Sequence, residues 1–232
     1  MNERKRINRV YSYYNEDQKF EKKWSYDNEG NRIINKERQE AALQLLKTFS
    51  VSLHEKKILD VGCAGGDSIR LIKTLGGTEK NIVGIDIRKK RLNETKSFFG
   101  DATFFLMDAR KLEFSDNTFD YVNLFTVLSS VLDNNNRKII SKEVMRILKP
   151  NGYVLYYDLR YNNPRNRYVK AVTKKKDINK LFPSTIINMQ LITLFPPLVR
   201  KIGKNVNYFY PKLSKLNFLN THYIALLKKN YE

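Results

Sequence analysis

The chain reads as an α/β protein built on a doubly wound parallel sheet. Two observations carry this. Short apolar runs of strand length recur from Lys57 onward, and segments of helical spacing separate them. Glycine, proline and asparagine mark the joints between them.

The elements follow in order. Residues 4–22 are charged, with interspersed Tyr and Phe, and predict a helix. "WSYDNEGNR" (24–32) is a polar, turn-rich break, in which Asn28, Gly30 and Asn31 mark a tight turn able to offer backbone donors to a substrate. Across 33–49, Ile34, Ala41, Leu45 and Phe49 fall at helical spacing. "KILDVG" is a short buried strand, and a helix follows from Ser68 to Leu75, ended by Gly76 and Gly77. "NIVGIDI", "ATFFLM", "FDYVNLF" and "YVLYYDL" are four more strands. Helices are expected over 88–99 and 135–148, the second closed by the turn "KPNG". "TIINMQLITLF" (185–195) and "THYIALLKK" (221–229) are late strands without a long crossover helix between them, so they are expected to pair antiparallel.

A length of 232 residues suits one domain with a real core. No run of 18 apolar residues suggests a membrane span, and "MNERKRINRV" lacks the apolar segment of a secretory signal. One cysteine, Cys63, leaves no internal disulfide and fits a reducing cytoplasm. Lys and Arg number 43 against 24 Asp and Glu, a net charge of +19. Such a balance attracts a phosphorylated substrate, an anionic membrane surface or nucleic acid. It is equally the mark of a Lys-, Asn- and Ile-rich composition, and the lysines are scattered.

The glycine turn in "ILDVGCAGGDSI" (58–69) decides between ligand classes. A dinucleotide fingerprint starting at Gly62 would need glycines where Ala64 and Asp67 stand. A carboxylate at that helix start repels a pyrophosphate, so Asp67 reads as a helix cap. No Gly-Lys-Ser/Thr follows, which excludes a P-loop. An acidic Asp60 beside the turn suits a cationic ligand and not a pyrophosphate.

The frame Asp60-x-Gly62-x-Ala64-x-Gly66 resembles motif I of the class I S-adenosylmethionine (SAM)-dependent methyltransferases, with Ala64 where glycine is usual. Asp86 then ends the second strand and Asp108 the third, in register with the family over roughly 55–160. The resemblance implies a Rossmann-like doubly wound seven-stranded sheet, mostly parallel with an antiparallel last strand, and SAM as cofactor. It implies one domain, with an N-terminal helical lid (1–52), a cofactor-binding core (53–160) and a substrate-side loop with C-terminal strands (161–232). The implied cofactor residues are Asp60, Gly62, Cys63, Ala64 and Gly66 in the turn, Asp86 and Ile87 at the ribose, and Asp108 and Ala109 at the adenine. Phe125 and Ser130 follow the fourth strand, beside the methionine part; Phe125 either covers the cofactor or packs the core.

Methyl transfer needs alignment, a dry site and sometimes a base. Three residues at the expected rim are candidates for the acceptor side: Asp158, Arg160 and His222. Arg160, with Arg165 and Arg167, could grip a phosphate or carboxylate. His222 begins the last strand, where a general base could act or a histidine could simply cap the strand. His54 precedes the first strand, at the opposite edge. Tyr11, Tyr13, Tyr14, Trp24 and Tyr26 suit a water-excluding lid or an ordinary packed helix. No Cys/His cluster offers a zinc site, and no carboxylate cluster beyond the cofactor set argues for magnesium, so no residue is assigned to a metal. A softer likeness to small bacterial methyltransferases of surface-polysaccharide or secondary-metabolite pathways implies an oxygen of a sugar, nucleotide sugar or sugar-linked phosphate as acceptor. The alternatives are an RNA or DNA methyltransferase and a cofactor-binding, non-catalytic partner protein.

Overall fold

The computed structural model describes residues 6, 9, 10, 25–63, 65–164, 166–172, 175–183 and 185–230, with backbone alone at 186 and 187. Most of the expected 4–22 helix lies outside these residues, as do Tyr11, Tyr13, Tyr14, Trp24, Ala64 and Arg165. From Glu29 onward the elements run α1 (Glu29–Thr48), β1 (Ile58–Val61), α2 (Asp67–Thr74), β2 (Ile82–Asp86), α3 (Lys89–Lys96), β3 (Thr103–Leu106) and β4 (Phe119–Phe125). They continue as α4 (Asn134–Ile147), β5 (Leu148–Leu159), α5 (Lys175–Leu181), β6 (Ile186–Leu194), α6 (Pro196–Ile202), α7 (Val206–Leu213) and β7 (Asn220–Lys228).

One seven-stranded sheet has the order β3-β2-β1-β4-β5-β7-β6. Strands β1 to β5 are mutually parallel. β7 runs antiparallel to both β5 and β6, so β6 points the same way as the first five. β7 therefore starts on the rim where the other strands end, and His222 lies opposite Leu159. That rim is where a doubly wound sheet binds its ligand. The apolar runs of β1 and β4 are buried throughout because helices cover both faces. A third apolar cluster joins Ile34 of α1 to Leu194, Val199, Val206 and Tyr210.

Two boundaries differ from the sequence reading. α1 begins at Glu29, capped by the Asn28 side chain, so Gly30 and Asn31 lie inside its first turn and form no separate loop. The turn "KPNG" falls inside β5: Leu148 already pairs with Phe119, and regular pairing resumes at Tyr121 with Tyr153. The intervening residues bulge out, with Asn151 at φ 59°.

Candidate active site

β1 ends in a turn whose glycines are required by its path. Gly62, Gly65 and Gly66 have φ of 76°, 101° and 74°, the left-handed region. A Cβ on Gly66 would stand 2.5 Å from Phe99 Cε2. The turn's amides are already engaged. Gly62 N–H and Cys63 N–H donate to Ile85 O at 2.8 and 3.1 Å, and Gly66 N–H donates to Cys63 O at 2.9 Å. Gly65 N–H donates to Thr95 Oγ1 at 3.0 Å. A pyrophosphate would meet none of these four donors. A nucleoside sulfonium, which needs close backbone approach and no phosphate cradle, fits. Gly66 itself caps α2; Asp67, expected as the cap, is the first helical residue and pairs with Arg70 at 3.1 Å.

Asp60 lies behind the turn, fully buried. It accepts from Ser68 Oγ and, at 2.8 Å, from Asn123 Nδ2 on β4. Burial raises its pKa to about 7, against the lowering effect of those two donors. It ties α2 to the sheet. Asn123 was not foreseen; its place opposite Asp60 follows from sheet register. Cys63 is buried, and burial pushes its thiol far up, so it is no nucleophile.

Asp86 ends β2, and Asp108 lies two residues past the end of the adjacent β3, in the same arrangement. Asp86 accepts from Arg88 N–H at 2.8 Å and from Arg88 Nε and Nη2 at 3.0 and 3.1 Å. Asp108 accepts from Arg110 N–H at 2.9 Å, and Arg110 Nη2 donates to it at 2.6 Å. The guanidinium forks hold both carboxylates on the rim. Sequence reasoning missed these arginines, although the repeat "DIR" and "DAR" was visible. Ile87 and Ala109, half-buried, lie between each pair.

The segment after β4 approaches the turn: Val127 Cγ2 is 3.0 Å from where a Gly62 Cβ would be. Thr126 takes φ 53°, costly for a β-branched residue, and its N–H donates to Tyr157 O at 2.7 Å. Ser130 Oγ donates to Thr126 O at 3.0 Å, and the Arg6 guanidinium donates to Ser130 O. Asp158 is fully buried rather than at the open rim. It accepts from Ser129 N–H and Leu159 N–H at 2.9 and 2.8 Å, so it shapes this segment and does not face an acceptor. Arg160 is likewise engaged, donating from Nη1 to Asn217 O at 2.6 Å. It staples β5 to the start of β7.

His222 belongs to a cluster that sequence reasoning did not assemble. Its ring stacks on Tyr157 at 4.7 Å and 3°. Tyr157 packs on Phe125 at 5.3 Å. The Arg38 guanidinium of α1 lies over both Phe125 and Tyr157, at 5.6 and 5.5 Å. Thr221 Oγ1 donates to Thr193 O, so it accepts from His222 Nδ1–H at 2.9 Å, which leaves the lone pair on Nε2. Burial, then Arg38, lowers the His222 pKa to about 3. A group so weakly basic is poorly matched to proton abstraction near neutrality, contrary to the general-base expectation. It is a neutral hydrogen-bond acceptor. Beside it, Glu37 accepts from Thr193 N–H and Tyr210 O–H, both at 2.7 Å. His54 is exposed near the opposite edge, as expected.

A glycine turn, two carboxylates at strand ends and an aromatic wall thus share one rim. Residues 58–152 match the family described as methyltransferase domains. A crystal structure of a SAM-dependent methyltransferase from Methanosarcina mazei superposes with a TM-score of 0.57 at 19% identity, covering 80% of this chain and 98% of that one. The fold is that of the SAM-dependent methyltransferases. Two curated methyltransferases are similar in sequence. A Staphylococcus aureus demethylmenaquinone methyltransferase is 37% identical over 103 residues, 43% of this chain and 41% of that one. A Mycobacterium tuberculosis phthiotriol/phenolphthiotriol dimycocerosates methyltransferase is 36% identical over 119 residues, 49% of this chain and 41% of that one. The chain thus spans less than half the length of these curated relatives. The likeness in sequence centres on the methyltransferase core, while α1, β6, α6, α7 and β7 lie outside the family match. Among the described residues, no helix is long and apolar enough to cross a membrane.

Proposed function

We propose that this chain is a SAM-dependent methyltransferase that moves a methyl group to an oxygen of a small acceptor with a flat or apolar body. The internally engaged amides of the glycine turn carry the cofactor reading. When bound, SAM supplies the methyl group as an electrophile. Asp86 accepts the ribose hydroxyls, Asp108 and the Ala109 N–H meet the adenine edge, and Gly62 to Gly66 admit the methionine part. Ile87 packs on the nucleoside, and Phe125 and Ser130 line the sulfonium side. Phe125, Tyr157 and His222 form a wall that excludes water and orients the acceptor. His222 Nε2 accepts a hydrogen bond from the acceptor hydroxyl and orients it, and the nearby Arg38 charge favours its ionisation; as the oxygen–methyl bond forms and the sulfonium–methyl bond breaks, the hydroxyl proton leaves to bulk solvent.

The aromatic wall, and relatives named for demethylmenaquinone and phthiotriol substrates, support an apolar-bodied acceptor. A sugar, nucleotide-sugar or sugar-phosphate acceptor is the second reading, favoured by exposed Asn162 and Asn163 just beyond β5. The lone buried thiol suits a reducing, cytoplasmic setting.

Calorimetric titration with S-adenosylhomocysteine tests the cofactor. Micromolar binding that Asp86→Ala weakens by about tenfold or more is expected, as loss of a charged hydrogen-bond acceptor requires. No binding to the wild type overturns the reading. Radiolabelled SAM is then offered with hydroquinones, long-chain alcohols, nucleotide sugars and RNA. Labelled hydroquinone or alcohol supports the acceptor class, and a labelled nucleotide sugar shifts it to the second reading. Labelled RNA assigns a nucleic-acid methyltransferase, and binding with no transfer assigns a non-catalytic partner.

A further inference from the structure

We propose that the segment between β6 and β7, residues 195–219, is a docking surface for an anionic lipid bilayer. One face of the segment is anchored: Val199, Val206 and Tyr210 pack on Leu194 and on Ile34 of α1. The rest of the segment leaves large apolar side chains in solvent. Tyr208 and Phe218 are 64% and 68% exposed, and Phe195, Phe209 and Leu216 are exposed too. Lys201, Lys204, Lys212 and Lys215 are exposed among them. Residues 195–219 contain no Asp or Glu. Lys212 Nζ sits 4.0 Å from the Tyr208 ring centroid, so cation and aromatic share one surface.

Exposed aromatic and aliphatic side chains interleaved with lysines match a headgroup–acyl boundary: rings enter the interface and ammonium groups meet anionic headgroups. A second copy of this chain is disfavoured, because it would bring the same uniformly basic face against itself. A nucleic acid is less suited, because Leu216 and Phe218 offer bulk with no polar edge, and the exposed cations are lysines rather than arginine forks.

The placement gives the surface a role. β6 ends and β7 begins on the glycine-turn rim, so the segment joins the rim beside His222. α1 rests directly on it, with Arg200 Nε donating to Asn31 Oδ1 at 2.9 Å and Tyr210 O–H donating to Glu37. An acceptor held in a membrane would reach the rim from this side. That consequence rests on the proposed acceptor class; the docking itself does not.

Cosedimentation with vesicles tests it. The full chain is mixed with vesicles of phosphatidylcholine alone, or of equal parts phosphatidylcholine and phosphatidylglycerol. Binding to the mixed vesicles only, weakened by salt, is expected. Phe218→Ser with Tyr208→Ser, and separately Lys212→Glu with Lys215→Glu, should each reduce binding by about tenfold or more. Both variants should keep wild-type S-adenosylhomocysteine affinity and thermal midpoint. Failure of the wild type to bind the mixed vesicles overturns the proposal, as does undiminished binding by both variants. So does preferential capture by single-stranded RNA in competition with the vesicles. Because the cofactor titration is read separately, loss of docking and loss of the methyltransferase reading are distinguishable.

Discussion

Burial lifts Asp60 to about 7 and drops His222 to about 3, and the two produce opposite dependences of stability on pH. Between about 4 and 7 the folded chain keeps the Asp60 proton that the unfolded chain has lost, so this contribution falls as pH rises. Between about 3 and 6.5 the unfolded chain protonates His222 while the folded chain does not, so that contribution is lost as pH falls. Urea unfolding across this window should show Asp60→Asn gaining on the wild type as pH rises, and His222→Gln gaining as pH falls. Slopes of the same sign would contradict these assignments. Gly66 is the other residue with a sharp expectation. Gly66→Ala meets both the left-handed φ and Phe99, and should cost about 1–3 kcal/mol while weakening S-adenosylhomocysteine binding. Thermal melts with and without the ligand separate the two effects.

Among elements, α1 links the site to the basic segment 195–219. Its first turn touches α6 backbone to backbone: a Cβ on Gly30 would lie 2.8 Å from the Val199 carbonyl. Gly30→Ala should push the two helices apart at a cost of about 1–3 kcal/mol, read by urea unfolding. Further along, Glu37→Ala strands Thr193 N–H and Tyr210 O–H, and should cost about 1–3 kcal/mol for each donor left buried. Glu37→Gln, which can still accept, should recover part of that loss. Arg38, one residue on, should be displaced in the Ala variant, so its methyl transfer to any acceptor is expected to fall more than its cofactor affinity. At the far side of the sheet, the buried Arg137 donates from Nε to Val131 O at 2.6 Å and from Nη2 to Lys170 O. It thereby ties α4 to the segment that carries Ser129 and Ser130.

For the whole molecule, a net charge of +19 implies self-repulsion within the folded state. Raising salt from low to physiological ionic strength should raise the thermal midpoint while weakening vesicle binding, a divergence checked on one sample series. The sheet and its ligand rim were legible in the chain itself. Buried strands announce themselves as apolar runs, and the carboxylates Asp60, Asp86 and Asp108 lie at or beside the ends of three of them, so local pattern sets their place. The antiparallel pairing of β6 and β7 was legible for a related reason, since no long crossover helix lies between them; that β7 starts on the rim, with His222, followed from the family resemblance. Long-range packing decided the rest. Nothing near Arg38 or Glu37 in sequence refers to Tyr157, Phe125 or His222; they meet because α1 lies over the rim. Asp158 and Arg160 looked like rim chemistry, but neighbouring backbone donors and carbonyls claimed them, since a buried polar group must find partners within the fold. The sequence by itself determined which strands exist and where a glycine turn follows the first of them, because both follow from periodicity and turn chemistry. Only the tertiary structure decided which side chains gather around His222 at the rim and which surface stays apolar and basic, because those depend on what every other element covers or leaves uncovered.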